Sequence, residues 1–237
     1  TTDGLFPVNW EETEAKWARF KAQGGSFKGA LRHGHTFLQL CDLRGYENLI
    51  FDMMDEEPLL DELIEQLEEF NLALVNRFIK GGCSAMLYPE DLGMQIGPMI
   101  PPELFKRYIK PSYKRLMKPA VDAGIPIHMH SDGDIRTLVD DIIEGGVDVI
   151  NLQDRVNGVD WIGEKFRGKT CVDLDIDRQK ITPFGTPAEI DAYIRYCVET
   201  VGCKDGGLMM IYGLYPGTPI ENAEAVAAAM EKYSPLR

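Results

Sequence analysis

The chain has 237 residues and a formal net charge of −13, with 44% hydrophobic and 27% charged residues. These values suit a soluble globular protein with a full core, read here as one domain over residues 1–237. The acidic balance argues against a nucleic-acid partner, because gripping a phosphate backbone needs a basic face, and no apolar run approaches the roughly 20 residues that a membrane helix requires.

In chain order, Ser26–Leu31 reads as a first strand. Glu56–Lys80 reads as a long amphipathic helix, with Leu60, Ile64, Leu67, Leu74 and Phe78 among its helically spaced apolar residues. Cys83–Tyr88 is the next strand. Pro102–Ala123 is a helix, with Pro101 and Pro102 at its start, Gly124 past its end, and kinks expected at Pro111 and Pro119. Ile125–His130 is a strand and Ile135–Glu144 a helix closed by Gly145-Gly146. Val147–Leu152, Thr170–Leu174 and Gly207–Tyr212 are further strands, alternating with helices over Val159–Phe166, Pro187–Val201 and Pro219–Tyr233. Strict βα alternation predicts an α/β fold with a parallel sheet under helical cover. Six strands leave it two short of a closed (β/α)8 barrel. Either further strands escape the pattern or an N-terminal portion of a TIM-like barrel is missing.

Five cysteines, Cys41, Cys83, Cys171, Cys197 and Cys203, form no CxxC pair and read as free thiols of a reducing compartment. Thr1–Trp10 lacks the basic start and apolar core of a secretion signal, so the chain is expected to be cytoplasmic.

The densest chemistry lies in Ile125–Asp134, Ile-Pro-Ile-His-Met-His-Ser-Asp-Gly-Asp, where a strand hands over to a helix. By strand parity His128 and His130 share a face. Other polar residues follow the remaining strands: Glu90, Asp91 and Gln95; Asn151, Gln153 and Asp154; Asp173, Asp175 and Asp177; Tyr212 and Tyr215. Carboxyl strand ends are where such folds hold their sites. Each residue also has a structural reading. Glu90 or Asp91 reads equally as a turn cap before Gly93, Asp132 or Asp134 as a helix cap, and His128 as a satisfied core histidine. Histidine with carboxylates suits Zn²⁺ or a harder divalent ion. His130, Asp132 and one of Glu90, Asp91 or His128 would be its ligands. The alternative is metal-free acid–base work by His130 and an aspartate. The candidate catalytic residues are His130, Asp132, Asp91 and Tyr212; His128, Gln153, Asp173 and Arg178 would line the substrate pocket.

Several segments, in this order, resemble the uroporphyrinogen decarboxylase superfamily, which includes corrinoid and coenzyme M methyltransferases. They are Leu43-Arg44-Gly45-Tyr46-Glu47-Asn48-Leu49, Glu90-Asp91-Leu92-Gly93, Pro101 to Phe105, His130-Ser131-Asp132-Gly133-Asp134, Gly145 to Asn151, Gly185-Thr186-Pro187, and Gly206-Gly207 through Thr218 to Asn222. The resemblance implies a TIM-like barrel and an absent N-terminal region. In the family's zinc methyltransferases the turn reads His-x-Cys-Gly, with another cysteine after the last strand. His130 falls on the first ligand, Asp132 stands at the cysteine position, and Tyr212 lies near the last strand. An oxygen-rich site is expected in place of a thiolate one, which makes coenzyme M a poor fit as methyl acceptor. The decarboxylases carry a histidine after the last strand, and Tyr212-Gly213 departs from that.

The resemblance thus points first to a methyltransferase-like enzyme that moves a methyl group from a small methylated or methoxylated compound to a corrinoid protein docked over the strand ends. The alternatives are a decarboxylase of uroporphyrinogen or a smaller acid, anchored by Arg136, Arg155 and Arg178, and a non-catalytic ligand-binding barrel.

Overall fold

A computed structural model describes residues 8–234; residues 1–7, which carry most of the stretch read for a secretion signal, and 235–237 lie outside them. Among the described residues the sheet has six parallel strands in sequential order: β1 (Lys28–Ala30), β2 (Ala85–Asp91), β3 (Ile127–Asp132), β4 (Val149–Gln153), β5 (Cys171–Asp175) and β6 (Leu208–Ile211). Parallel neighbours need crossovers, and helices supply them. Helix α1 (Trp10–Ala22) precedes β1, and α2 (Phe37–Arg44), α3 (Tyr46–Met54) and α4 (Pro58–Gly81) join β1 to β2. Next come α5 (Pro102–Leu104), a π-helical turn (Phe105–Ile109) and α6 (Lys110–Asp122), then α7 (Val139–Ile143), α8 (Asp154–Asn157), α9 (Val159–Phe166), α10 (Ile181–Phe184), α11 (Pro187–Val201) and α12 (Ile220–Tyr233).

The α/β architecture is the one expected, but the sheet is open: β1 and β6 are its edges. Four differences from the sequence reading bear on the site. Helices α1, α2 and α3 were not anticipated. The expected Pro102–Ala123 helix breaks at the π-helical turn, and Pro111 sits in the first turn of α6, where its missing N–H is not needed. The expected Ile135–Glu144 helix shrinks to Val139–Ile143, because Asp134 accepts from the backbone N–H groups of Arg136 and Gly97 and holds a turn there. Finally, β2 and β3 run on to Asp91 and Asp132, so Glu90 and Asp91 belong to the ladder and do not cap a turn.

Strand parity divides the sheet into two faces. Met86, Tyr88, Ile127, Met129, Ile150, Leu152, Val172 and Leu174 are fully buried under the helices, each contributing about 1.5–3 kcal/mol by leaving water. The alternating residues face the inner side, which is half-open at β6, where Met209 and Ile211 are 43% and 49% exposed. No described helix is long and apolar enough to cross a membrane, and the five cysteines are unpaired thiols.

Candidate metal centre

The register of β2 to β5 gathers the polar residues. Asp91 pairs with Asp132, His130 with Asn151, Asn151 with Asp173, and Gln153 with Asp175. With period-2 alternation, all of these side chains share the inner face near the carboxyl ends of the strands.

A residue from outside these strands joins them. Beyond β1 the chain stays beside β2, with Leu31 N–H donating to the Leu87 carbonyl and Gly34 N–H to the Pro89 carbonyl. That brings His33 over the end of β2. Its Nε2 lies 3.3 Å from Asp91 Oδ1, and His130 Nε2 lies 3.4 Å from the same oxygen. The two imidazole centroids are 5.7 Å apart. One ligand atom from each of His33, Asp91 and His130 falls within 4.8 Å of the others. Two histidines and one carboxylate form a donor set that suits a borderline divalent ion and leaves coordination positions open.

The orientation of His130 supports this use. Asn151 Nδ2 donates to the Asp173 carbonyl at 2.6 Å. A carbonyl can only accept, so the amide oxygen of Asn151 must face His130, and it makes a short contact with Nδ1. Nδ1 is therefore the protonated nitrogen. In the neutral ring Nε2 keeps its lone pair on the side of Asp91, the arrangement metal-bound histidines adopt when a carbonyl holds the other nitrogen. Burial disfavours the charged imidazole, but hydrogen bonds to Asp91 and Asn151 and the charges of Asp132 and Asp91 outweigh it, raising the His130 pKa. Burial likewise pushes Asp91 upward. The hydrogen bonds from His130 and the Asp132 N–H, with the nearby histidines, bring its pKa below the ordinary value. A proton and a cation would thus compete for one place.

Around this cluster, Asp132 Oδ1 is buried without a hydrogen-bond partner, 3.8 Å from His130 Nε2. Its other oxygen binds Arg178, whose guanidinium also lies 3.2 Å from Asp175 and donates to the Tyr215 hydroxyl at 2.8 Å. One layer down, His128 Nε2 lies 3.3 Å from Asp173 Oδ2 and makes no hydrogen bond. Gln153 Oε1 accepts from the Gly133 N–H and supports the turn after β3.

Two expected residues stand apart. Tyr212 pairs with Thr218 at 3.3 Å, while Tyr215 is the tyrosine beside Arg178. Glu90, expected as a metal ligand, points to the opposite face of the sheet, is fully buried and caps the start of α2. The group that converges is His33, Asp91 and His130; Asp132, also expected as a ligand, lies beside it with Oδ1 3.8 Å from His130 Nε2. The signal for His33 was present in the sequence: His33-Gly34-His35 follows the first strand just as the other polar clusters follow theirs.

Comparisons with known proteins place this geometry in a family context. The uroporphyrinogen decarboxylase (URO-D) family profile matches residues 35–233. A uroporphyrinogen decarboxylase of Thermus thermophilus is 26% identical over 182 residues, covering 76% of this chain and 50% of that protein. The methylcobamide:CoM methyltransferase MtaA of Methanosarcina barkeri is 22% identical over 201 residues, covering 81% of this chain and 54% of that protein. The chain thus spans about half the length of these curated relatives. A solved methyltransferase from Methanosarcina mazei shares the fold, with a TM-score of 0.69 at 16% identity over 93% of this chain and 63% of that one.

Proposed function

The chain belongs to the uroporphyrinogen decarboxylase family, and from that premise we propose that it is a methyl-transferring member, taking a methyl group from a small methylated compound to a corrinoid carried by a partner protein. The observation that carries this reading is the convergence of His33, Asp91 and His130 at the carboxyl strand ends, with Nε2 of His130 turned towards Asp91 by Asn151.

A heteroatom that loses a methyl group leaves poorly as an alkoxide or amide, and needs a proton or an electrophile. Zn²⁺ or another divalent ion held by His33, Asp91 and His130 would supply Lewis acidity at that atom. The chain's own groups do the rest. Asp132 Oδ1, unpartnered beside His130, would accept a hydrogen bond from a methyl donor that carries an N–H or O–H and is admitted next to it. Arg178 holds the other oxygen of Asp132 in place and limits the negative charge of Asp132 and Asp175. His128 and Asp173, one layer down on the same face, would line the substrate pocket. Asp132 at the position of a thiolate ligand fits a methyl donor bound through oxygen or nitrogen better than a thiol acceptor.

The decarboxylase alternative draws on the Thermus relative. Its carboxylate anchors would be Arg136, Arg155 and Arg178, yet each already faces an aspartate: Asp134 at 2.8 Å, Asp177 at 3.9 Å, and Asp132 with Asp175. That engagement favours methyl transfer.

The test has two parts. Elemental mass spectrometry should find near-stoichiometric divalent metal in the protein, lost in His130→Ala and reduced in His33→Ala. The protein with cob(I)alamin and a panel of methoxylated and N-methylated compounds should form methylcobalamin, read by its absorption spectrum. Release of CO2 from uroporphyrinogen without methyl transfer would replace this reading with decarboxylation. Ligand binding without either turnover would leave a binding barrel.

A further inference from the structure

Asp91 and Glu90 are neighbours on β2 and face opposite sides of the sheet. Asp91 belongs to the candidate metal centre. Glu90 is buried among the helices with 0% exposure, an arrangement tolerated only when a carboxyl group is fully engaged. Its Oε2 accepts from the backbone N–H groups of Thr36 and Phe37, both at 3.0 Å, and from the Tyr113 hydroxyl at 3.1 Å. Its Oε1 accepts from Leu38 N–H at 3.2 Å. Those three consecutive N–H groups open α2, where a helix needs acceptors for its free donors.

Thr36, at the N-cap position, makes no capping bond with its own side chain. Its hydroxyl is engaged by His35 Nδ1 at 2.6 Å. A carboxylate 54 residues away in sequence does the capping instead. The same stretch is fastened again by Asn71, whose Nδ2 donates to the His35 carbonyl at 2.8 Å, and by Gly34 N–H on Pro89. His33 itself is half-exposed, with 52% of its side chain in solvent. Little packing holds its ring, so the backbone of residues 33–36 decides where it stands.

We propose that Glu90 is a positioning residue for His33: from the helix-facing side of β2 it fixes the start of α2, and so places His33 against Asp91 on the inner face. The importance of this device for metal binding rests on the metal-centre reading; the placement of His33 does not.

Two measurements test it. In metal-free protein carrying labelled histidines, a ring-to-ring NOE between His33 and His130 is expected. In Glu90→Gln, which must turn an amide NH2 towards an N–H donor, and in Glu90→Asp, which withdraws the carboxylate from α2, that NOE should weaken or vanish. The contact between His130 and Asn151 should persist, showing that the sheet is intact. An unchanged His33–His130 NOE in both variants would overturn the proposal. The second measurement is Co²⁺ affinity in a double-mutant cycle. Glu90→Gln should weaken binding about 10-fold in the wild-type background, the scale of a lost outer support, and have no further effect in His33→Ala. Equal weakening in both backgrounds would mean a general structural role and would also overturn it. Absence of Co²⁺ binding by the wild type would sink the metal reading, while the NOE still decides the positioning role.

Discussion

Gly93 and Gly133 lie backbone against backbone: a β-carbon on Gly133 would stand 2.0 Å from the Gly93 carbonyl carbon. The contact lets the ends of β2 and β3 stay in register, with Gly93 N–H donating to the Asp132 carbonyl and Asp134 N–H to the Met94 carbonyl. Gly133 also has φ +80°, a conformation that costs other residues energy. Gly133→Ala should therefore separate Asp91 from Asp132. The expected loss is about 2–4 kcal/mol of stability from strain and overpacking, with weaker divalent-metal binding. Urea unfolding and calorimetric titration of the variant check both.

Asn151 fixes the ring of His130, so its removal should be felt at the metal without any change of ligand. Asn151→Ala is expected to weaken Zn²⁺ or Co²⁺ binding about 10–100-fold. Asn151→Leu, which keeps the volume but offers no acceptor to Nδ1, should weaken binding as much. Titration calorimetry on the two variants side by side separates this role from simple packing loss, which would be felt mainly in Asn151→Ala.

The pH dependence follows from two opposite shifts. His130 has a raised pKa in the fold, so its contribution to metal-free stability is full below the ordinary imidazole value and is lost as pH rises through the raised one. Asp91 has a lowered pKa, so its contribution is present above the ordinary carboxylate value and is lost as pH falls through the lowered one. The stability gap between wild type and His130→Gln, measured by urea unfolding at stepped pH, should shrink on the alkaline side. Metal affinity should move the other way, increasing with pH until His130 has lost its proton. A gap that is flat across this range would contradict the pairing.

Arg178 sits between Asp132 and Asp175. Burial pushes the Asp175 carboxyl upward, and Arg178 is the main influence opposing it. Arg178→Met should raise that pKa further, visible as a displaced carboxyl carbon titration by NMR. If the titration of Asp175 does not move, the guanidinium is not what keeps this carboxylate ionised.

The parts of the fold that were legible in the sequence carry local signals. Helices α9 and α11 fall where the pattern predicts, and α11 has Pro187 in its first turn and a Thr186–Glu189 capping box. The strand ends were misread because Asp132-Gly133 looks like ordinary turn chemistry. The ladder there depends on two glycines that meet only in three dimensions. The side taken by Glu90 is hidden for a related reason: once β2 reaches Asp91, parity forbids both acids from facing the site. The place of His33 is not legible in the sequence because three helices separate β1 from β2, and only their parallel pairing brings it to Asp91.

The alternation in β3 has an evolutionary consequence. Ile127, Met129 and Ser131 are fully buried and hold the strand to its surroundings, while His128, His130 and Asp132 between them are half-buried on the inner face of the open sheet. Selection for new chemistry can exchange the second set without disturbing the first. A lineage can then drift from one reaction to another by single-residue steps, each leaving a foldable chain behind it.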